Sequence, residues 1–305
     1  MSLLAGTIYD PSTAVSASTA SLLAMTALDT TNLRLTFTVP ANGTVLVRLA
    51  GTVTGATTFP LIMLGVLEGA TLRGRQIPAG ARVTALATDY MSQEAVYTVS
   101  GLTPGASLTW DAAYGVEAVV ASTNLKYGGP NNTTGNDAWG GFQFEIWDTI
   151  DLLAGVMYDP TGGAFVAKSG SALLAMTALD TTNLRCTFKA PASGNVFWHL
   201  RVPFRRSGAV WGQILLGVLD GATVKARVAP VCGGQIVNTA SYATSADASG
   251  VIKGLTSGTT YNYDAAYGIE TIASTNAGTV VYGGPNNNTT ATDAYGGAAF
   301  EIWAA

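Results

Sequence analysis

The sequence predicts an all-β protein built from two tandem, duplicated β-sandwich domains, and three observations carry that expectation. The chain repeats itself over nearly its whole length. Its apolar residues alternate in short runs, and turns rich in Gly, Asn and Pro separate those runs at regular intervals. The repeat is explicit: LLAG at Leu3 returns at Leu152, LLAMTALDTTNLR at Leu22 returns at Leu173, GVLEGAT at Gly65 becomes GVLDGAT at Gly217, and FEIW at Phe144 returns at Phe300. The offset grows along the chain through short insertions, which belong in loops because the strand-like runs keep their phase. These matches divide the chain into repeat 1 (1–149) and repeat 2 (150–305). Only WDTIDLLAG separates the two units, so they are expected to lie close together rather than on a loose tether.

Within each copy the elements follow in order. SLLAMTALDTTNL lacks a clean helical stripe and is dense in Thr, so it reads as a strand with an irregular turn. LRLTFTV (Leu33–Val39) alternates and runs into PANG, a turn with suitable residues. TVLVRLAGTV alternates in its turn, and the counterparts in the second copy are LRCTFKA, PASG and NVFWHLRV. FPLIMLGVLEG and QILLGVLDG are continuous apolar runs closed by an acidic-Gly turn, as expected of a strand buried on both faces. EAVYTVSGLTPGASLTW reads as strand, turn, strand, matched by GVIKGLTSGTTYNYD. VEAVVAS and IETIAS are further β-rich runs, and FQFEIW and AAFEIW close the units. The Asp residues of LDTTN and WDAAYG are expected to cap local turns through the nearby backbone.

Composition narrows the function classes. Of 305 residues, 48% are hydrophobic and 11% charged, well under the usual quarter for a soluble domain. Such a chain can bury ample apolar surface and present a neutral exterior, or cover that exterior with partners. The net charge of -4 and the lack of any basic stripe argue against a nucleic-acid partner. The most apolar window, Phe59 to Gly69, is too short to span a bilayer, so no membrane partner is expected. MSLLAGTIYDP has no basic n-region followed by a long apolar core and does not read as a signal peptide. Cys186 and Cys232 face Leu35 and Gly80 in the first copy, so they imply no disulfide framework and read as reduced thiols, with a single bridge as the alternative.

The chemistry of the chain points away from an enzyme, and no catalytic residue and no cofactor are expected. His199 is the one histidine, inside an alternating strand, and Arg48 takes its place in the first copy. It is expected to be a solvent-facing or interface residue, and histidine-rich metal sites are excluded. No P-loop, Rossmann fingerprint or nucleophile elbow occurs. Recurring carboxylates such as Asp10/Asp159, Asp111/Asp264 and Glu145/Glu301 are not placed by regular spacing into a glycosidase pair. The loops YGGPNNTTGNDAWGG and YGGPNNNTTATDAYGG offer hard oxygen ligands for calcium at Asn131, Asn132 and Asp137, and at Asn286, Asn287 and Asp293. Their spacing matches no EF-hand, and one residue is inserted in the second copy. A strict coordination loop tolerates insertion badly, so the loops read as architectural.

The PANG turn, the GLTPG hairpin and a closing FEIW strand after a glycine-rich loop resemble, at the level of fold, the C1q/TNF-like jelly roll. More closely, AGTIYDP and AGVMYDP, TALDTTNLR, GVLEGAT, WDAAYGVE and KYGGPNNTT resemble the minor tail, head-fibre or capsid decoration proteins of tailed actinobacterial bacteriophages. These motifs spread over nearly all of the first copy, and most recur in the second. The resemblance implies jelly-roll-like domains and a non-enzymatic virion protein that decorates the outer capsid surface. The implied partners are the major capsid protein or other virion proteins, together with further copies of the chain in a homo-oligomer. The compact tandem units favour capsid over tail. The alternative it leaves open is a tail or head-fibre adhesion module that binds a host-surface glycan. An exposed Trp110/Trp139 pair would favour adhesion, and the same residues packed between strands would favour assembly. The repeated Asn-x-Thr sequences of the glycine-rich loops are not expected to be modified in such a protein.

Contact candidates come from where the copies differ. RVPFRRSG in the second copy replaces the uncharged AGTVTGAT of the first, and Trp198 and Trp211 stand where Val47 and Phe59 do. Trp198, Arg201, Phe204, Arg205, Arg206 and Trp211 therefore form a basic, aromatic candidate contact surface. Trp139 and Tyr295, equivalent residues at the ends of the two glycine-rich loops, join them.

Overall fold

A computed structural model describes residues 2–17, 25–54, 62–78, 90–116, 124–129, 140–160, 166–168, 175–206, 214–232, 242–269, 279–283 and 295–305. Repeat 1 contributes β1 (Leu3–Tyr9), β2 (Val15–Ala17), β3 (Thr26–Ala27), β4 (Arg34–Thr38), β5 (Val45–Thr54), β6 (Ile62–Glu68), β7 (Thr71–Gln76), β8 (Tyr90–Val99), β9 (Ser107–Val116), β10 (Asn124–Tyr127) and β11 (Phe142–Asp148). Repeat 2 contributes β12 (Leu152–Tyr158), β13 (Val166–Lys168), β14 (Thr177–Ala178), β15 (Arg185–Lys189), β16 (Val196–Arg206), β17 (Ile214–Asp220), β18 (Thr223–Val228), β19 (Val231–Cys232), β20 (Tyr242–Ile252), β21 (Thr260–Ile269), β22 (Thr279–Tyr282) and β23 (Ala298–Ala304). Among the described residues there is no helix. The expected all-β class and the paired sandwiches are what the chain forms.

Each repeat has two facing sheets. In repeat 1, β5 pairs with β8 along one edge, and with β11 and β10 end to end along the other; β11 then pairs with β1, and β10 with β2. The opposing sheet runs β7, β6, β9, with β3 and β4 end to end on the far side. With each broken strand counted once, the first sheet runs first–eighth–third–sixth and the second runs second–seventh–fourth–fifth. That order is a jelly roll, and repeat 2 reproduces it with the small edge strand β19 added.

Alternation decides which residues fill each sandwich. In β5, Val45, Val47 and Leu49 point into the core while Arg48 points out; β16 buries Val196, Trp198, Leu200 and Val202. Trp110 is fully buried and meets Phe37 edge-on, with ring centroids 4.9 Å apart; Tyr263 occupies the matching place against Phe188 at 5.1 Å. β6 is buried along almost its whole length, as its continuous apolar run requires.

From Met25 onward the LLAMTALDTTNL segment forms the short β3 and then a turn. The Asp29 carboxylate accepts hydrogen bonds from the backbone N–H of Thr31 and Asn32, each 2.8 Å long, and Asp180 does the same for Thr182 and Asn183. These aspartates cap turns as expected. The aspartates of WDAAYG do not. Asp111 and Asp264 lie inside β9 and β21, where register sets them opposite Arg34 and Arg185, and each accepts a two-pronged bond from that guanidinium. A cross-strand cation outcompetes the local backbone because the strand already satisfies the neighbouring N–H groups.

The PANG and PASG turns each place a glycine at φ 66, where a Cβ would sit 2.6 Å from the carbonyl oxygen of Leu102 or Leu255. Gly43→Ala is expected to lower the stability of repeat 1 by more than about 1 kcal/mol, through left-handed strain and displacement of that carbonyl. Urea unfolding of the variant against wild type measures it; an unchanged midpoint would mean that the turn relaxes at no cost.

Candidate functional site

Period-two alternation also gathers charge on the outer face of the first sheet of each sandwich. In repeat 1, Arg48 on β5 donates to Glu94 on β8 at 2.5 Å and to Glu145 on β11 at 3.2 Å. The same three places in repeat 2 hold His199, Asp247 and Glu301. His199 Nδ1 donates to Glu301 Oε2 at 3.2 Å, and Nε2 lies 3.1 Å from both Asp247 oxygens. Arg201, where repeat 1 has Ala50, donates to Asp247 as well. Trp147 and Trp303 each donate their indole N–H to the glutamate two residues before them.

Burial pulls the pKa of His199 down, but the hydrogen bonds and charges of Asp247 and Glu301 outweigh it and raise the group to about 9. Burial pushes Asp247 up, yet the His199 hydrogen bond and the charges of Arg201 and His199 prevail and hold it at about 2. His199 is therefore an imidazolium at neutral pH with both nitrogens engaged. It has no lone pair to offer as a general base or as a metal ligand. Among the described residues no group of three or more His, Cys, Asp or Glu side chains is placed to hold a metal ion. Cys186 is a free thiol whose pKa burial drives upward.

What distinguishes the second cluster is its position. Arg201 reaches across to repeat 1, donating to Gln76 Oε1 at 3.2 Å and to the Val96 carbonyl at 3.3 Å. A cleft of about 510 Å³ opens here, lined by Leu46 and Val96 from one repeat and by Phe197, His199, Glu301 and Trp303 from the other. A smaller cavity of about 290 Å³ lies farther along the same seam, between Gly74 and Thr98 of repeat 1 and Met157 and Asp159 of repeat 2.

The seam itself joins unlike surfaces. Repeat 1 offers the side of its sandwich where β7 and β8 end the two sheets, together with outward residues of β6 and β9, and repeat 2 offers the outer face of its first sheet. Arg75, only 1% exposed, donates to Asp159 at 2.8 Å. The Gly297 N–H donates to the Arg75 carbonyl, and Gln76 bridges to Gly296. Met25, Met63, Leu67, Ile77 and Ala113 of repeat 1 close over Val281 and Tyr295 of repeat 2 in one apolar cluster, and Ala299 and Met157 extend the core of repeat 1. The two units touch directly, as the short connection between them implied.

The contact candidates fall in several places. Trp198 and Phe204 point into the core of repeat 2, because they occupy inward positions of β16. Arg201 and Tyr295 are buried in the seam between repeats. Arg205 and Arg206 continue β16, with their side chains outside the described residues. Trp211, Trp139 and the calcium candidates Asn131, Asn132, Asp137, Asn286, Asn287 and Asp293 also lie outside the described residues. Sequence reasoning did not find the Arg75–Asp159 pair or the clamp on His199. A signal existed for both: the recurrence of Asp10/Asp159 and Glu145/Glu301, and the exchange of Arg48 for His199 on one face.

No protein-family model matches the chain, and no curated protein matches it. Among solved structures, the tandem CBM22-1–CBM22-2 domain of Paenibacillus barcinonensis Xyn10C aligns at 11% identity over 99% of this chain and 97% of that one, with a TM-score of 0.23. The infectious bursal disease virus Gx strain structure aligns at 10% identity over 97% of this chain and 78% of that one, with a TM-score of 0.16. The VP2 subviral particle of the same virus gives 11% identity, 99% and 80% coverage, and a TM-score of 0.16. Scores this low carry no functional argument, and the jelly-roll assignment rests on the strand order itself.

Proposed function

We propose that the protein is a non-enzymatic structural protein of a tailed-phage virion, mounted on the outer capsid surface through protein–protein contacts. The observation that carries this reading is the seam. Its charged groups are spent on one another and on the neighbouring repeat, in an arrangement suited to holding folded units together. The motif resemblance supplies the virion setting. Trp110, which an adhesion module would need in an open groove, is packed against Phe37 inside repeat 1, which favours assembly over glycan binding.

Quantitative mass analysis of purified phage particles, taken apart in stages, tests the proposal. Copy numbers on the order of hundreds, released with the shell, are the expected result. A few copies released with the tail would move the protein to the tail and overturn the capsid placement. Absence from particles would overturn the virion reading altogether.

A further inference from the structure

One carboxylate oxygen in the seam lacks a donor that its counterpart in repeat 1 has. There the Arg48 guanidinium donates to both oxygens of Glu145, to Oε1 at 3.3 Å and to Oε2 at 3.2 Å, and Trp147 also donates to Oε2. His199 takes the place of Arg48 in repeat 2 and brings a single N–H to the matching glutamate, where it joins Trp303 on Oε2. Glu301 Oε1 is buried, in a side chain only 2% exposed, and accepts no hydrogen bond from any described residue. We propose that the cleft between the repeats is a binding site for a guanidinium group, as carried by an arginine side chain, which is supplied from outside the chain and donates to Glu301 Oε1.

Glu301 lines the cleft of about 510 Å³, and the register of β16, β20 and β23 arranges the repeat 2 side in cross-strand rows. One outward row is apolar, with Trp303, Phe197 and Val251 side by side. The next is polar, with Glu301, His199 and Ser249. Leu46 and Val96 line the cleft from repeat 1. Phe197 is 37% exposed, so the apolar row can receive a methylene stem while the polar row meets the charged head. The flat face of a guanidinium also stacks well on aromatic rings. A cleft of this size, between two domains and mostly apolar with a few polar groups, has the form of a ligand site.

Charge selects a cation. Three carboxylates, Asp151, Asp247 and Glu301, line the cleft against two cationic side chains, His199 and Arg201. Both nitrogens of His199 are engaged, and Arg201 donates to Asp247, Gln76 and the Val96 carbonyl. What Glu301 still offers is an acceptor, and a buried acceptor without a donor is destabilising until one arrives. The internal repeat then selects the kind of cation. At the equivalent place in repeat 1 a guanidinium bridges the two carboxylates, and its planar fork suits a carboxylate better than an ammonium does. Arg48 closes that place from within, so the site exists only in repeat 2. The proposal concerns a chemical group and stands or falls apart from the virion reading.

Titration of the full chain with N-acetylarginine amide, followed by NMR at the tryptophan indole N–H groups, tests it. Trp303 donates to Glu301, and Trp147 makes the same bond to Glu145 and serves as the control. The Trp303 resonance is expected to shift saturably while that of Trp147 stays in place. N-acetyllysine amide is expected to bind about tenfold more weakly, because it lacks the planar fork. His199→Arg is expected to weaken binding of the arginine probe about tenfold, since its own guanidinium then meets Glu301 as Arg48 meets Glu145. Glu301→Gln, with circular dichroism confirming the fold, is expected to weaken it as well. A short peptide with a central arginine separates the sources: tighter binding than the single amino acid identifies a protein neighbour, equal binding identifies a free guanidino compound, and either supports the site. A Trp303 signal that no probe moves, a lysine probe that binds as well as the arginine probe, or a His199→Arg protein that binds like wild type would each overturn the proposal.

Discussion

Arg75→Ala is expected to destabilise the protein by about 3–5 kcal/mol and to split its unfolding into two transitions. Removing the guanidinium leaves the Asp159 carboxylate in the seam without its charged partner, and a broken buried pair costs far more than the pair is worth intact. The loss falls on the contact between repeats, so the sandwiches should then melt as separate cooperative units. Arg227→Ala is the internal control. It removes the same residue from the same strand position where it is exposed, so it is expected to cost less stability than Arg75→Ala and to leave the two repeats melting together. Differential scanning calorimetry of both variants decides the matter. Equal effects from the two substitutions would show that the seam contributes nothing to cooperativity.

His199→Ala carries the second large effect, and pH reveals it. The folded pKa of His199, raised to about 9, stabilises the native state fully below the unfolded value of about 6.5. That contribution is lost as pH rises through about 9. Asp247, held at about 2, stabilises above its unfolded value of about 3.9 and loses the contribution as pH falls through about 2. Between about pH 3.9 and 6.5 both contributions are constant, and from about pH 6.5 to 9 the His199 contribution should fall by a few kcal/mol. His199→Ala is expected to be less stable at pH 6 by a similar amount, because Asp247 and Glu301 are left facing each other, and to lose the alkaline slope. His199→Arg reinstates the arrangement that Arg48 makes in repeat 1, so it should keep the stability at pH 6 and abolish the slope. Urea midpoints at pH 6 and pH 9 test all three proteins. A slope that survives in both variants would place its origin elsewhere.

Much of the fold could be read from the residues because its signals are local. Alternation in LRLTFTV and the continuous run in IMLGVLE depend only on which faces of a strand meet the core. The turn in LDTTN was legible because Asp29 reaches only two and three residues ahead. Asp111 shows where local reasoning stops: its partner Arg34 lies far away in sequence, and register alone brings them together. The same limit explains Trp198 and Phe204. They mark a difference between the copies, but their places in β16 turn them into the core. Arg201, drawn into the same patch, donates instead to Gln76 and the Val96 carbonyl of the neighbouring repeat.

By itself the sequence determined the duplication, the all-β class, the LDTTN turn and the presence of a single histidine. Each of these follows from repetition, alternation or residue type along a single stretch of chain. Only the tertiary structure decided which repeat surface meets which, and so why Arg75 is buried and Arg227 exposed, although both stand at the same place in equivalent strands. Two copies of one pattern carry identical local instructions. A heterologous contact then uses opposite halves of the two units, and that asymmetry exists only once they are packed.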